Sequence, residues 1–178
     1  MSSIHYELHL RGNSPIAKAD RVLADLQAYA RNLQFTNVSA VHALPYDGSP
    51  SNNPATQWLY FWAPMVATPF EDDEPSLTGD PYTARGFMVN PGGQYESAAF
   101  ALLLRASDEG QHLEWYWRYS CKSQHTRAVS DANLVACHVA LVALLDRAKA
   151  LGMDVTVRDE TRYWDTRDEA QLLAALRA

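Results

Sequence analysis

The sequence predicts an α+β fold: a single, mostly antiparallel sheet of about six or seven strands, packed by one long helix. Two observations support this. Segments with strand character cluster in the middle of the chain, whereas helical spacing of apolar residues occurs before and after them. In addition, the 178 residues are 47% hydrophobic and 20% charged, which is the composition and size of one globular domain. We therefore expect one domain over residues 1–178.

The N-terminal segment predicts a half-buried strand and then an amphipathic helix. Apolar residues alternate with His5, Glu7 and His9, so these three should share the solvated face of the strand. Ser14 and Pro15 have the pattern of a helix start, and apolar residues follow at helical spacing. The helix is predicted over residues 15–33.

The middle of the chain predicts the body of the sheet. The run 57–66 is apolar on both sides, which is typical of a central strand. Residues 97–106 are also apolar on both sides, and a helix remains the alternative there because alanine and leucine favour it. The predicted strands are 38–44, 57–66, 85–90, 97–106 and 112–121. The predicted loops are 45–56 and 67–83, where proline, glycine and acidic residues are dense.

The C-terminal third predicts two helices around a short strand. Ser130 can cap a long helix over 132–151, and Gly152 suits its left-handed end. A strand is predicted over 153–158. Thr166 and Glu169 have capping-box spacing for a last helix, predicted over 167–177.

Composition narrows the classes of function. A net charge of −6 argues against nucleic-acid binding, which needs a basic face. Two cysteines make no disulfide framework, and no apolar run reaches the length of a membrane span. The N-terminus has no pattern of a signal peptide, so we expect a cytoplasmic protein without a membrane partner. Dinucleotide, P-loop, nucleophile-elbow, zinc-protease and CxxC motifs are absent from the sequence, and we predict no cofactor and no metal site.

The aromatic strand ends in a segment with reactive groups. Trp115, Trp117, Tyr119 and Cys121 share one strand face, which predicts core packing under the long helix. The other hypothesis is a reaction centre at Cys121 and His125. In an extended chain these two residues lie about 13 Å apart, so they can meet only if the chain turns between them.

Two further groups of polar residues call for an interpretation. His138 lies among leucines on the long helix, which predicts a buried histidine bonded to a backbone or carboxylate partner. The connection 158–168 combines acids, bases and two aromatics between a strand and a helix, where binding residues commonly lie. Asp159 and Glu160 are candidates there, because the N-terminus of the last helix does not explain them.

The C-terminal half resembles a set of uncharacterised bacterial proteins. In that set a Trp-rich strand runs into a Cys-Lys-Thr-Gln-Tyr segment, and a Ser-Asp-Glu segment precedes an aromatic residue and Arg-Asp. Here the corresponding segments are Trp-x-Trp followed by Cys-Lys-Ser-Gln-His, and Asp-Glu followed by Tyr-Trp-Asp-Thr-Arg-Asp. The resemblance covers about residues 95–178 and carries no known activity. It marks as positions of interest Lys122, Gln124, Asp159, Glu160, Trp164, Arg167 and Asp168.

These observations predict a cleft between residues 121–125 and the connection 158–168, which would suit a small polar ligand or a peptide. The function expected from it is non-catalytic binding of a protein partner or a small polar ligand, and the immunity type of protein is included in this expectation. The alternative is a hydrolase or transferase that uses Cys121 or His125 with Asp159 or Glu160. A homodimer through the side chains of Trp58, Tyr60 and Trp62 is a further possibility. The predicted lining of the cleft is Lys122, Gln124, His125, Asp159, Glu160, Tyr163 and Trp164.

Overall fold

A computed structural model describes residues 2–12, 14–44, 54, 56–67, 83–92, 95–106, 113–123 and 130–177. Its elements in chain order are β1 (Ser2–Leu10), α1 (Ile16–Ala30), β2 (Asn37–Val38), β3 (His42–Leu44), α2 (Gln57–Ala67), β4 (Thr83–Asn90), β5 (Ala98–Ala106), β6 (Leu113–Ser123), α3 (Asp131–Ala150), β7 (Asp154–Asp159), α4 (Tyr163–Thr166) and α5 (Glu169–Arg177). Most of the two predicted loops lies outside these described ranges.

The strands form one antiparallel sheet, so the predicted α+β class is confirmed. Its order is β2-β4-β5-β6-β1-β7, and β3 pairs with a second part of β4. The N-terminal strand β1 therefore lies between β6 and β7, two strands that come late in the chain. Residues 97–106, for which a helix was the alternative, form strand β5.

One strand prediction is wrong: residues 57–66 belong to helix α2, not to a central strand. An apolar run without polar interruptions fits a buried strand and a buried helix equally well. In α2 the helical spacing places Leu59, Ala63 and Val66 in the core and leaves Phe61 65% exposed. Trp58 and Trp62, one turn apart, pack towards the sheet, so the strand face proposed for a homodimer does not exist.

The two faces of the sheet carry different helices. Asp20 of α1 pairs with Arg85 of β4 at 2.6 Å, and His138 of α3 bonds to Asp159 at the end of β7. Arg85 and Asp159 lie on the sheet face of Tyr6 and Leu8, which we call the core face. Helix α2 contacts β3, β4, β5 and β6 from the opposite side and covers only that half of the sheet. On β1 and β7 the opposite face carries polar side chains, some of which line a cavity together with α2.

The aromatic strand β6 is tied to β5 by its side chains. Backbone pairing joins β5 to β6 over residues 103–106 and again at the bridge from Tyr95 to Ser123. Between these ends, Trp117 donates to the Ala99 carbonyl at 3.0 Å and Tyr119 to the Ser97 carbonyl at 3.1 Å. The Tyr6 hydroxyl donates to the same Ala99 carbonyl at 2.7 Å. Aromatic donors thus replace part of the ladder between two strands.

The same aromatic side chains contact α2. The Trp117 ring meets Trp58 with centroids 6.4 Å apart, and the Tyr119 ring meets Trp62 at 5.2 Å. Trp115, Trp117 and Cys121 are fully buried. The predicted burial of this strand face is confirmed for these three residues, but the helix that the Trp117 and Tyr119 rings contact is α2 and not the long helix α3. The same contacts hold α2 beside the cavity described below.

The helix ends follow the sequence in part. Ser130 caps α3 by accepting from the Asn133 amide, and Gly152 after it has φ 87°, as predicted. The capping box predicted at Thr166 is wrong. The carboxylate of Asp168 accepts from the amides of Ala170 and Gln171, so Asp168 caps α5. No helix in the described ranges is long and apolar enough to cross a membrane.

Candidate functional site

A polar surface covers β6, β1 and β7 on the side away from α1 and α3, and we call it the polar face. Residues directly opposite each other in neighbouring strands share a face. Ser120, His5 and Arg158 are opposite one another and form one row across the three strands. Arg118, Glu7 and Thr156 form the next row, about 6.6 Å further along the strands.

A cavity of about 450 Å³ opens where the polar face meets α2. Both rows lie in its wall, and Trp62 and Val66 of α2 form an apolar wall beside them. This volume is within the range of small-molecule sites. Within the described part of the chain, the lining residues are His5, Tyr6, Glu7, Trp62, Val66, Arg118, Tyr119, Ser120, Thr156 and Arg158.

The charged groups of the cavity have an excess of positive charge. Glu7 lies opposite Arg118, and the Tyr116 hydroxyl bonds to its carboxylate. Burial, and then the charge of Glu7, raise the pKa of Tyr116 to about 12, so this hydroxyl stays a donor. Arg158 adds a second guanidinium, and Glu7, the one carboxylate among the described lining residues, is already bonded. The cavity is therefore cationic although the chain as a whole is acidic.

Two hydroxyl groups extend this chemistry. The Ser120 Oγ is buried and makes no hydrogen bond with the described residues. A buried hydroxyl without a partner costs free energy, and a bound ligand or water is one explanation for its retention. The Ser3 Oγ lies 2.9 Å from His5 Nε2, and this hydrogen bond orients the His5 ring within its row.

Lys122 and Glu160 lie at the rim of the polar face. Lys122 is opposite Ser3 on β6 and is exposed. The Glu160 carboxylate accepts from the Ser3 amide at 2.8 Å, and hydrogen bonds from Ser3 lower its pKa, with smaller effects from His5 and Arg158. Of the predicted cleft residues, these two adjoin the cavity without lining it.

Asp159 lies on the core face instead, in a closed network with His138. The side chain of Asp159 is 0% exposed and that of His138 is 2% exposed, with Oδ2 and Nε2 3.0 Å apart. The Asp159 carboxylate also accepts from the Thr161 hydroxyl at 2.7 Å and from the amides of Thr161 and Trp164, each at 2.9 Å. Burial alone would raise the pKa of Asp159, but these bonds outweigh it and lower the pKa from 3.8 to about 2. The carboxylate partner predicted for His138 is confirmed.

The two aromatics of the connection contribute to the same core. Tyr163 is buried, and its ring centroid lies 6.0 Å from that of His138. Trp164 is half-buried and packs under the Arg167 guanidinium, 4.8 Å from the ring centroid. Arg167 in turn donates to Asp146 of α3 at 2.8 Å. These contacts fasten the connection to α3 rather than present it to a ligand.

Cys121 lies in the core and has the chemistry of an inert thiol. It is 0% exposed, and its Sγ–H donates to the Glu96 carbonyl at 3.1 Å. Burial, and then the charge of Glu96, raise its pKa to about 12. Because Cys121 and Asp159 pair with opposite edges of Ile4, they are about 10 Å apart across β1. This geometry is unsuited to a nucleophile with Asp159 as its partner.

Thiol labelling checks this placement. In the native protein, neither Cys121 nor the other buried cysteine, Cys137, should react with a small chromogenic thiol reagent between about pH 5.5 and 8.5, because only the accessible thiolate attacks it. Both should react after denaturant is added. Rapid native labelling that maps to Cys121 would contradict the buried placement.

The sequence located the site only in part. Gln124 and His125 lie outside the described residues. The cavity residues Arg118, Ser120 and Thr156 were not predicted as a site, and Arg158 was included only as the first residue of the connection 158–168. His5 and Glu7 were placed on the correct strand face. Alternation on each of the three strands is a signal for a polar face. The missing information was the strand order that brings the three together.

Comparisons with protein-family models, with curated proteins and with solved structures found no match for this chain. A function for the cavity must therefore be inferred from its own geometry. The described residues contain no group of three or more His, Cys, Asp or Glu side chains arranged to hold a metal ion.

Proposed function

We propose that this protein is a non-catalytic binding protein and that the cavity between α2 and the polar face holds a small polar organic ligand. The observation that supports this most is the composition of the cavity wall. Two guanidinium groups and a buried hydroxyl face an apolar wall built from Trp62 and Val66. Binding sites for small molecules commonly combine a mostly apolar wall with a few polar groups that fix orientation.

The enzyme alternative has less support from the described residues. Cys121 is buried with a raised pKa, and every Asp159 contact is that of a structural carboxylate. Glu160 is exposed at the rim and bonded to the Ser3 amide. His125, the remaining candidate, lies outside the described part of the chain. A hydrolase or transferase would need that residue to supply the chemistry.

A protein partner of the immunity type was predicted from the acidic composition, which suits a basic surface. The cavity itself favours the small ligand, because Arg118 and Arg158 would repel a basic partner and because the site is concave. We place the protein in the bacterial cytoplasm as part of this proposal. Its two unpaired, buried cysteines are compatible with a reducing compartment.

A cavity-filling variant tests the proposed function. Thr156 lines the cavity from the edge strand β7 and is exposed, so Thr156→Tyr adds a ring to the cavity at a position where strands tolerate aromatics. A library of small polar organic compounds should include some that bind the wild-type protein in ligand-observed NMR. Those compounds should bind Thr156→Tyr at least about ten-fold more weakly, a loss of about 1.4 kcal/mol.

The matched control is Thr156→Val, which keeps the volume of the side chain and leaves the cavity open. It should bind the same compounds within about two-fold of wild type, well under 1 kcal/mol. Both variants should retain the wild-type circular dichroism spectrum. The proposed function would be overturned if no compound in the library binds, or if the compounds bind Thr156→Tyr as tightly as they bind the wild type.

A further inference from the structure

The row formed by Ser120, His5 and Arg158 carries a guanidinium group and no carboxylate, whereas the next row pairs Arg118 with Glu7. The three side chains come from adjacent strands, so their Cβ atoms are spaced by about 5 Å and converge on one side. Arg158 offers a planar fork of N–H donors, and Ser120 offers a hydroxyl without a partner among the described residues. The Arg158 guanidinium on β7 and the Ser120 hydroxyl on β6 can donate from two sides to one planar acceptor group.

The neighbouring acidic groups do not occupy this row. Glu160 follows β7 directly, and its Oε2 accepts from the Ser3 amide at 2.8 Å at the rim. Glu7 lies one row further on, opposite Arg118, and is bonded by Tyr116. Both carboxylates thus have other partners. Among the residues that the structure describes, no other carboxylate competes for the Ser120 row, which leaves the row available to an external acceptor.

The apolar wall defines the rest of the ligand. Val66 is 2% exposed and Trp62 is half-buried, and both face the cavity one helical turn apart. The Trp62 ring is held edge-on by Tyr119 and by Phe61, with centroids 5.2 Å and 5.7 Å away. A rigid aromatic surface of this kind buries a flat apolar group with little loss of side-chain freedom.

We infer that the ligand of this cavity is a small organic carboxylate, with its carboxylate at the row of Ser120, His5 and Arg158 and its apolar or aromatic body against Trp62 and Val66. This rests on the proposed function. An arginine fork matches a carboxylate in two parallel hydrogen bonds, and such charge-assisted bonds are stronger than neutral ones. Glu7 in the next row disfavours a second negative group on the same ligand.

The probes are naphthalene-2-carboxylate and naphthalene-2-carboxamide, which share a body and differ in charge. In titrations of the full chain followed by ¹H–¹⁵N NMR, the carboxylate should bind at least about ten-fold more tightly than the amide. Arg158→Gln should reduce carboxylate affinity about ten-fold and leave amide affinity unchanged. Because Arg158 is exposed on an edge strand, this variant should fold as the wild type does.

The matched control is Arg21→Gln, which removes the same charge from the exposed side of α1, on the other face of the sheet. It should leave both affinities within about two-fold of the wild-type values, since distant surface charges are screened. Ser120→Ala is a second variant with almost no change in volume. It should lower the affinity for naphthalene-2-carboxylate but not the affinity for naphthalene-2-carboxamide.

Two results would overturn the inference, and they differ in what they mean for the proposed function. If both probes bind equally and shift the Trp62 signals, the cavity is a binding site but not a carboxylate site. The assignment of a carboxylate ligand is contradicted if neither probe binds at millimolar concentration. It is also contradicted if Arg158→Gln and Arg21→Gln change the affinity for the carboxylate probe equally. The proposed function is then judged by the compound library and the Thr156 variants.

Discussion

Replacing Asp159 with alanine is expected to lower the free energy of unfolding by about 3–5 kcal/mol. The substitution leaves the imidazole of His138, the amide of Thr161 and the amide of Trp164 buried without their acceptor. Urea unfolding followed by circular dichroism measures the change. Asp165→Ala is the control, because it removes the same group from an exposed position on α4. We expect it to cost less than about 0.5 kcal/mol.

The same residue predicts the acid dependence of stability. The folded state holds the pKa of Asp159 near 2, whereas the unfolded chain takes up the proton near 3.8. Its contribution is therefore fully present above 3.8 and is lost as the pH falls towards 2, by about 2 kcal/mol. Asp159→Ala should flatten this part of the pH profile relative to Asp165→Ala. Equal stability losses in the two variants, or parallel acid profiles, would contradict the buried network.

Replacing Trp117 with alanine is the second change with a large expected effect, about 3–5 kcal/mol of unfolding free energy. The side chain is fully buried, it bridges β6 to the Ala99 carbonyl of β5, and its ring packs on Trp58 of α2. Its loss leaves a cavity and removes one of the donors that join the two strands. Trp117→Phe should cost less, because it keeps most of the apolar area.

Urea unfolding followed by circular dichroism also measures this prediction, since fluorescence changes when a tryptophan is removed. Trp164→Ala is the matched control. That tryptophan is half-buried and packs on Arg167, so its truncation should cost clearly less than that of Trp117. A loss below about 1 kcal/mol for Trp117→Ala would mean that the strand pair β5–β6 does not depend on the indole.

Local patterns were sufficient for most of the fold. Most strands and the helices α1, α3 and α5 lie within a few residues of their predicted bounds. The strand predicted over 38–44 is instead divided into β2 and β3, and Ser14 does not cap α1, because its hydroxyl donates to the Arg11 carbonyl. The failure at residues 57–66 has a physical reason. Every position after Gln57 is apolar or aromatic, so the polar–apolar periodicity does not distinguish a strand from a helix. Tertiary packing against β5 and β6 selects the helix.

The site was less predictable, because it depends on strand order. That a buried His138 needs a backbone or carboxylate partner could be inferred from its leucine neighbours. That Asp159 supplies it follows only once β7 lies beside β1. Similarly, His5 and Arg158 are 153 positions apart in sequence and become neighbours through antiparallel pairing. Local propensity does not specify such pairs, whereas the buried core face of each strand fixes the register once the strands meet.

The most direct test of the central claim is to locate a bound probe by intermolecular nuclear Overhauser effects. With naphthalene-2-carboxylate bound to the full chain, we predict effects from the naphthalene protons to the Val66 methyl groups and the Trp62 ring. The amide signals of Ser120 and Arg158 should shift with the carboxylate and not with the carboxamide. Effects confined to other side chains, such as the exposed ring of Phe61, would contradict a binding site between α2 and the polar face.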